Sequence, residues 1–297
     1  MHSGLRLDLT RLIASIRWRD SLVFAAPSLV GLTFVLPDLS LETLGVVAVF
    51  TGGTFLLMAH IFAFNDWSDR ATDGIHVSVG DLRRISAAES RQVLYLALVL
   101  GATGLGLLAS LSSQLLILGG VILLLGVAYS FPIPGYKGKG IRLLSSLLHV
   151  AGSLLTFLLG YALFSPIDWR ALLVGGYFGL IISAGHLVQE IQDVEGDRAA
   201  DIATLAVTIG RRQAFLLAFL LFTLSFGYLY GLAALGHLPP LAAYLLVFYP
   251  VLCLLAIGTW RRGLDPVRVG RFRSSYRLLF GVLVLLLASA GLAQALA

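Results

Sequence analysis

The sequence predicts an all-α integral membrane bundle of nine spanning helices, and three observations carry that prediction. Hydrophobic residues make up 58% of the 297 positions and charged ones only 12%, against about 25% charged in soluble domains. The apolar residues gather in runs close to the roughly 20 residues that a spanning helix needs. The basic residues sit in short clusters between those runs. A soluble chain this apolar could not cover its surface with polar groups, whereas a bilayer removes that requirement. A net charge of +5 would suit nucleic acid if it formed one continuous basic face. Clusters flanking apolar runs are membrane anchors instead, so membrane lipids are expected partners and nucleic acid is not. The lone cysteine, Cys253, lies inside an apolar run and allows no internal disulfide. No cleaved signal peptide, low-complexity tract or soluble domain is read, and residues 1–297 form a single transmembrane domain.

Residues 1–20 place Leu7, Leu9, Leu12, Ile13 and Ile16 near helical period, the pattern of an amphipathic helix on the membrane surface. Spans follow at approximately 21–37, 41–64, 92–111, 114–131, 142–164, 169–189, 213–236, 239–260 and 276–296. Little more than Ser112 and Ser113 separates the third from the fourth, as in a tight outer turn. With a cytoplasmic N-terminus, the inner segments 1–20, 65–91, 132–142, 190–212 and 261–277 hold 4, 4, 3, 3 and 6 Lys or Arg residues, 20 of the 21 in the chain. Arg170 is the exception. The positive-inside rule therefore supports nine spans and puts the N-terminus on the cytoplasmic side of the cell membrane. Inner segments 65–91 and 190–212 are long, and long connections between packed elements are usually functional. They are expected to form helical cap loops over the inner face.

Both loops open on acids. The first reads Asn65-Asp66-Trp67-Ser68-Asp69-Arg70-Ala71-Thr72-Asp73, and the second Gln189-Glu190-Ile191-Gln192-Asp193-Val194-Glu195-Gly196-Asp197. Each runs amide, acid, two residues, acid, three residues, acid, so the chain carries an internal repeat of motif-bearing halves. Positions i, i+3 and i+7 share one helix face. Asp66, Asp69 and Asp73 make one carboxylate stripe; Glu190, Asp193 and Asp197 make another, which Asp201 continues. Like charges stacked on one face repel, and ionisable groups at a membrane boundary are usually functional. Oxygen ligands without cysteine point to Mg²⁺, which binds one or two carboxylates together with substrate phosphates. Two such stripes suit a Mg²⁺-chelated diphosphate; the bland alternative is two sets of solvated loop charges.

These motifs resemble those of the UbiA superfamily of intramembrane prenyltransferases, whose members have nine spans, N-D-x-x-D-x-x-x-D after the second and D-x-x-x-D after the sixth. The resemblance covers nearly the whole chain. The wording around Asn65 is similar to the chlorophyll synthase branch. The second motif, with Thr204-Leu205-Ala206-Val207 and Gly210 after it, is similar to the branch that alkylates glyceryl phosphates or homogentisate. Tyr129-Ser130, Pro134 and Lys137 resemble the family segment between the fourth and fifth spans. Three departures stand out. The Arg-Pro pair that usually follows motif one is absent, with Arg83 and Arg84 in that stretch; Glu190 stands where Asp is common; and Gly135 stands where Arg is expected.

The resemblance implies Mg²⁺-dependent transfer of a prenyl group from an isoprenyl diphosphate donor to a lipophilic or aromatic acceptor, through an allylic cation. It assigns metal ligation to Asn65, Asp66, Asp69, Asp73, Asp193 and Asp197. Lys137, Arg70, Arg198 and Arg84 become candidate diphosphate contacts, with Arg70 and Arg198 equally readable as helix-surface ion pairs. Tyr129 would face the cation or the diphosphate, and Glu190 or Asp193 would serve as base for a phenol or alcohol. A terpene cyclase on the same fold is the first rival; a cation-coupled transporter is the second, disfavoured because transporters place such acids near the bilayer midplane. His60, His149 and His186 read as satisfied interhelical residues, and Arg261, Arg262, Arg268, Arg271, Arg273 and Arg277 as a topology-setting cluster that meets anionic lipid.

Overall fold

The computed structural model describes residues 13–69, 87–130, 141–199 and 202–296, and every regular element among them is a helix. In chain order these are α1 (Trp18–Thr33), α2 (Leu41–Asp69), α3 (Ala87–Leu111), α4 (Ser113–Ser130), α5 (Arg142–Tyr161), α6 (Trp169–Ala199), α7 (Leu205–Ile209), α8 (Arg211–Ala234), α9 (Leu241–Tyr244), a 3₁₀ turn (Leu245–Phe248), α10 (Tyr249–Arg262) and α11 (Pro266–Ala295). Eight helical segments among the described residues are long and apolar enough to cross a membrane. The predicted first span forms α1, whose 16 residues extend about 24 Å, short of a hydrocarbon core of about 30 Å.

Short polar side chains set the helix starts. Ser40 Oγ accepts from the Thr43 amide at 3.2 Å to open α2, and Ser112 Oγ accepts from Leu115 at 3.2 Å to open α4. Ser112 thus divides what would otherwise read as one long helix into two spans. Asp168 caps α6 through the Ala171 amide at 2.7 Å, and Asp265 caps α11 through Arg268 at 3.0 Å, with Pro266 in the first turn where its missing N–H costs nothing. Gly210 (φ +85°) and Gly263 (φ +100°) supply left-handed breaks between α7 and α8 and between α10 and α11.

Three boundaries differ from the sequence expectation. Segment 190–212 does not begin as a loop, because α6 continues through it to Ala199. The span expected over 239–260 is interrupted at a 3₁₀ turn just before Pro250, whose ring and missing N–H disrupt the turn behind it. The last helix starts at Pro266, ten residues before the apolar run, so the arginines from Arg268 to Arg277 lie on a helix rather than in a loop. Polar residues hidden against neighbouring helices escape a reading based on hydropathy alone.

The chain divides into two compact units, Met1–Ala25 with Val47–Gly138, and Ala26–Val46 with Lys139–Ala297. In the first, Ala59, Ala63, Phe64, Val93, Ala97 and Leu100 form a small core of α2 on α3. Gly104 lets these helices close, since a Cβ there would stand 2.9 Å from the Gly53 carbonyl oxygen. The second unit has a larger core, in which α6 is central and packs on α5, α8 and α11.

Candidate active site

The two acidic motifs sit on the ends of long helices, one in each unit. The helices α2 and α6 have 29 and 31 residues, several more than a span of about 20 requires. Their extra turns carry Asn65–Asp69 of motif one and all of motif two beyond the apolar stretch while keeping them helical, so Glu190, Asp193 and Asp197 share one face.

In the first unit, Asn65 Nδ2 donates to Ser130 Oγ at 3.1 Å, and the Ser68 hydroxyl donates to the Ser130 carbonyl. Ser130 ends α4, so the segment flagged by Tyr129-Ser130 is tied directly to motif one. The bond occupies the amide nitrogen of Asn65 and leaves its carbonyl oxygen as the atom suited to a hard cation. Asp66 is buried, at 6% exposure. Its carboxylate lies 3.5 Å from Nη1 of Arg17, a residue that the sequence reading counted only among the inner-face charges. Arg17 is also held by Asp20 and lies over the Phe62 ring, 4.7 Å from its centroid. No spacing rule links residues so far apart in sequence, which is why this contact was not foreseen. Tyr129 is half-buried. The side chain of Asp69, and Arg70, Asp73, Arg84 and Lys137, lie outside the described residues, as does Asp201.

In the second unit, Glu190 and Asp197 are buried, and Asp193 between them is half-buried. The chain after α6 folds back over this face. Glu190 Oε2 accepts from the Ala206 amide at 3.1 Å, and Asp197 Oδ2 accepts from the Thr204 hydroxyl at 3.3 Å. Behind Glu190 stands a histidine pair: His149 and His186 stack with centroids 3.8 Å apart, Ser145 Oγ is 2.7 Å from His186 Nε2, and that nitrogen is 3.1 Å from Glu190 Oε1. The His186–Glu190 contact is close but poorly aligned, and Oε1 makes no hydrogen bond among the described residues. His60, in the first unit, is 2.6 Å from the Ala97 carbonyl through Nδ1. His60 and His186 are therefore interhelical links, as expected, whereas His149 bonds Ser145 within its own helix.

Gln189, which occupies in motif two the place of Asn65, accepts from Arg273 at 2.8 Å, and the same guanidinium reaches Gln192 at 3.5 Å. Arg273 therefore turns inward and leaves the lipid-facing role expected of its cluster, because α11 begins early enough to lay it along α6. Arg198 pairs with Glu195 at 3.4 Å on the exposed side of α6, where both side chains are more than half exposed. This is the helix-surface ion pair of its two readings.

An all-oxygen donor set fits Mg²⁺, and the burial of Asp66 beside a guanidinium shows that this carboxylate takes a cationic partner in the folded chain.

A model of the UbiA prenyltransferase family matches residues 24–276. The digeranylgeranylglyceryl phosphate synthase of Natronomonas pharaonis is 30% identical over 207 residues, covering 69% of this chain and 71% of that protein. Its counterpart from Halobacterium salinarum is 27% identical over 238 residues, covering 77% and 79%. Among solved structures, a UbiA homolog from Archaeoglobus fulgidus bound to DMAPP and Mg²⁺ superposes with a TM-score of 0.72 at 17% identity, over 96% of this chain and 99% of that one.

Proposed function

Because the chain belongs to the UbiA prenyltransferase family, we propose that it transfers a prenyl group, with Mg²⁺, from an isoprenyl diphosphate to the free hydroxyl of a prenylated glyceryl phosphate. The observation that supports this most is the pair of motifs of identical spacing, each opening on a helix extension with its amide held from another helix. The relatives' names supply the acceptor class, and the Thr204–Val207 segment, whose Thr204 and Ala206 hold motif two in shape, agrees with that branch.

Asn65, Asp66, Asp69, Asp73, Asp193 and Asp197 would hold the metal, which when bound would offset the diphosphate's charge and polarise its oxygens. The protein's own part is to present these oxygens on rigid helix ends, with Ser130 and Arg273 fixing the motif amides. Lys137, Arg70 and Arg84 supply further positive charge to the leaving diphosphate. The allylic carbon–oxygen bond breaks with its electrons on the diphosphate, the acceptor oxygen bonds to that carbon, and the acceptor proton passes to Asp193. Asp193 suits this better than Glu190 because it is only half-buried, whereas Glu190 is buried. Apolar helix faces and Tyr129 keep water from the cation.

The test is direct. Purified protein in nanodiscs receives labelled geranylgeranyl diphosphate, Mg²⁺ and geranylgeranylglyceryl phosphate or a phenolic acceptor, with EDTA and Asp193→Asn as controls. A doubly prenylated glyceryl phosphate that disappears in both controls supports the proposal. Prenylation of the phenol alone moves the acceptor class, and a cyclic hydrocarbon formed without acceptor replaces transfer by cyclisation.

A further inference from the structure

Arg17 is the only non-glycine residue with positive φ among the described residues, at +47°. That conformation is strained for an L-residue, and such strain persists only where surrounding contacts hold it. Here contacts act on both backbone and guanidinium, and the Arg17 amide donates to the Ala14 carbonyl oxygen at 3.1 Å. Nε and Nη2 lie 3.2 and 3.1 Å from Asp20 Oδ2, Nη1 lies 3.5 Å from Asp66 Oδ1, and the carbon of the fork sits over the Phe62 ring. The Arg17 carbonyl also accepts from the Ser21 amide at 2.9 Å, so the strained residue is the hinge from which α1 starts.

From these contacts we infer that Arg17 is a resident counter-cation for motif one: it neutralises Asp66 in the metal-free protein and gives it up when the divalent cation arrives. This rests on the reading of Asp66 as a metal ligand. A guanidinium and a divalent cation cannot share one carboxylate without strong repulsion at this range. The two bonds to Asp20 let Arg17 release Asp66 while remaining paired, so the exchange leaves no bare arginine. The device answers two problems raised by the sequence. It offsets the stacked carboxylates of motif one before metal binds, and it does so in a chain that lacks the usual Arg-Pro pair after that motif. It also makes metal loading and the start of α1 one coupled event.

The test measures Mn²⁺ binding to the full chain by electron paramagnetic resonance in the presence of saturating inorganic pyrophosphate, counting the protein-immobilised ion. Competition predicts that Arg17→Gln binds Mn²⁺ about tenfold more tightly than wild type, with a lower melting temperature in EDTA that Mn²⁺ restores. Arg17→Lys, too short a reach to hold both acids, is expected to fall between, and it decides the matter if Arg17→Gln cannot be purified. Unchanged or weaker Mn²⁺ binding in these variants overturns the inference. Asp66→Asn separates this result from failure of the underlying reading. If it binds Mn²⁺ as wild type does, or if wild type binds none, Asp66 is not a ligand and both ideas fall; if it loses binding while the Arg17 variants do not change, only the role of Arg17 falls.

Discussion

Glu190 accepts a hydrogen bond from the amide of Ala206, sixteen residues further along the chain and 3.1 Å away. The bond joins the last turns of α6 to the first turn of α7, and Asp197 and Thr204 repeat the connection one step outward. A buried carboxylate accepting from the backbone amide of a buried residue in the first turn of a helix is a charge-assisted bond, worth about 1.5–3 kcal/mol. Glu190→Ala is therefore expected to lower stability by about 2 kcal/mol, while Glu190→Gln, which keeps an acceptor oxygen, recovers most of it. Thermal unfolding in detergent measures both. Glu190→Gln should also retain prenyl transfer within about tenfold, whereas a general base replaced by an amide loses about 10²–10⁴.

The crossing of α1 and α5 turns on two glycines. A Cβ on Gly160 would collide with the Ser28 carbonyl oxygen, and one on Gly31 would collide with the Phe157 carbonyl oxygen. Both obstacles are backbone and cannot rotate aside. Overfilling a packed site usually costs about 1–3 kcal/mol, and backbone obstruction puts Gly160→Ala at the upper end. Gly152→Ala, on the same helix with open space around its Cα, is the control and should be neutral or slightly stabilising through helix propensity. Melting temperatures of the two variants, compared side by side, check this.

The fold was legible because hydropathy and arginine placement both follow from the bilayer, and both are local properties of sequence. The motif stripes were legible because helical period fixes which side chains share a face. What escaped was whatever depends on packing at a distance. Nothing local marks Arg17 as the partner of Asp66, or Arg273 as the partner of Gln189. The helical stripe of Glu190, Asp193 and Asp197 was expected, but not that it continues the span as one helix to Ala199, because a hydropathy reading ends the span at its first acid, although the chain that folds back over them buries two of the three. Pro250 carried a visible signal for the broken helix before α10, which the apolar composition around it concealed.

Chelation should abolish turnover, and Mg²⁺ or Mn²⁺ should restore it, since the donor set is oxygen throughout. Mg²⁺ binds through one or two carboxylates plus substrate phosphates, so dialysis without EDTA should already remove most activity, and the concentration of Mg²⁺ for half-maximal rate should fall as diphosphate donor is raised. Initial rates over a grid of the two concentrations measure this. A half-maximal Mg²⁺ concentration independent of donor would indicate a metal held by protein ligands only.

The start of α11 provides a pH-dependent contribution whose sign can be worked out. Asp265 lies outside the spans, and its carboxyl is held below the usual 3.8, chiefly by the hydrogen bond from the Arg268 amide, against an opposing effect of burial, with the Arg268 charge a lesser contribution. A folded value below the unfolded one means stabilisation that is fully present above the unfolded value and is lost as pH falls through the depressed folded value. Asp265→Ala should therefore melt at a lower temperature than wild type at pH 7, and the gap should close as the medium is acidified below pH 3.8. Asp265→Asn keeps a capping oxygen that does not titrate, so its gap from Asp265→Ala should persist through the same range. The comparison of three melting curves across that window isolates the charge of the cap from its hydrogen bond, because only the wild-type curve is expected to move toward the alanine variant.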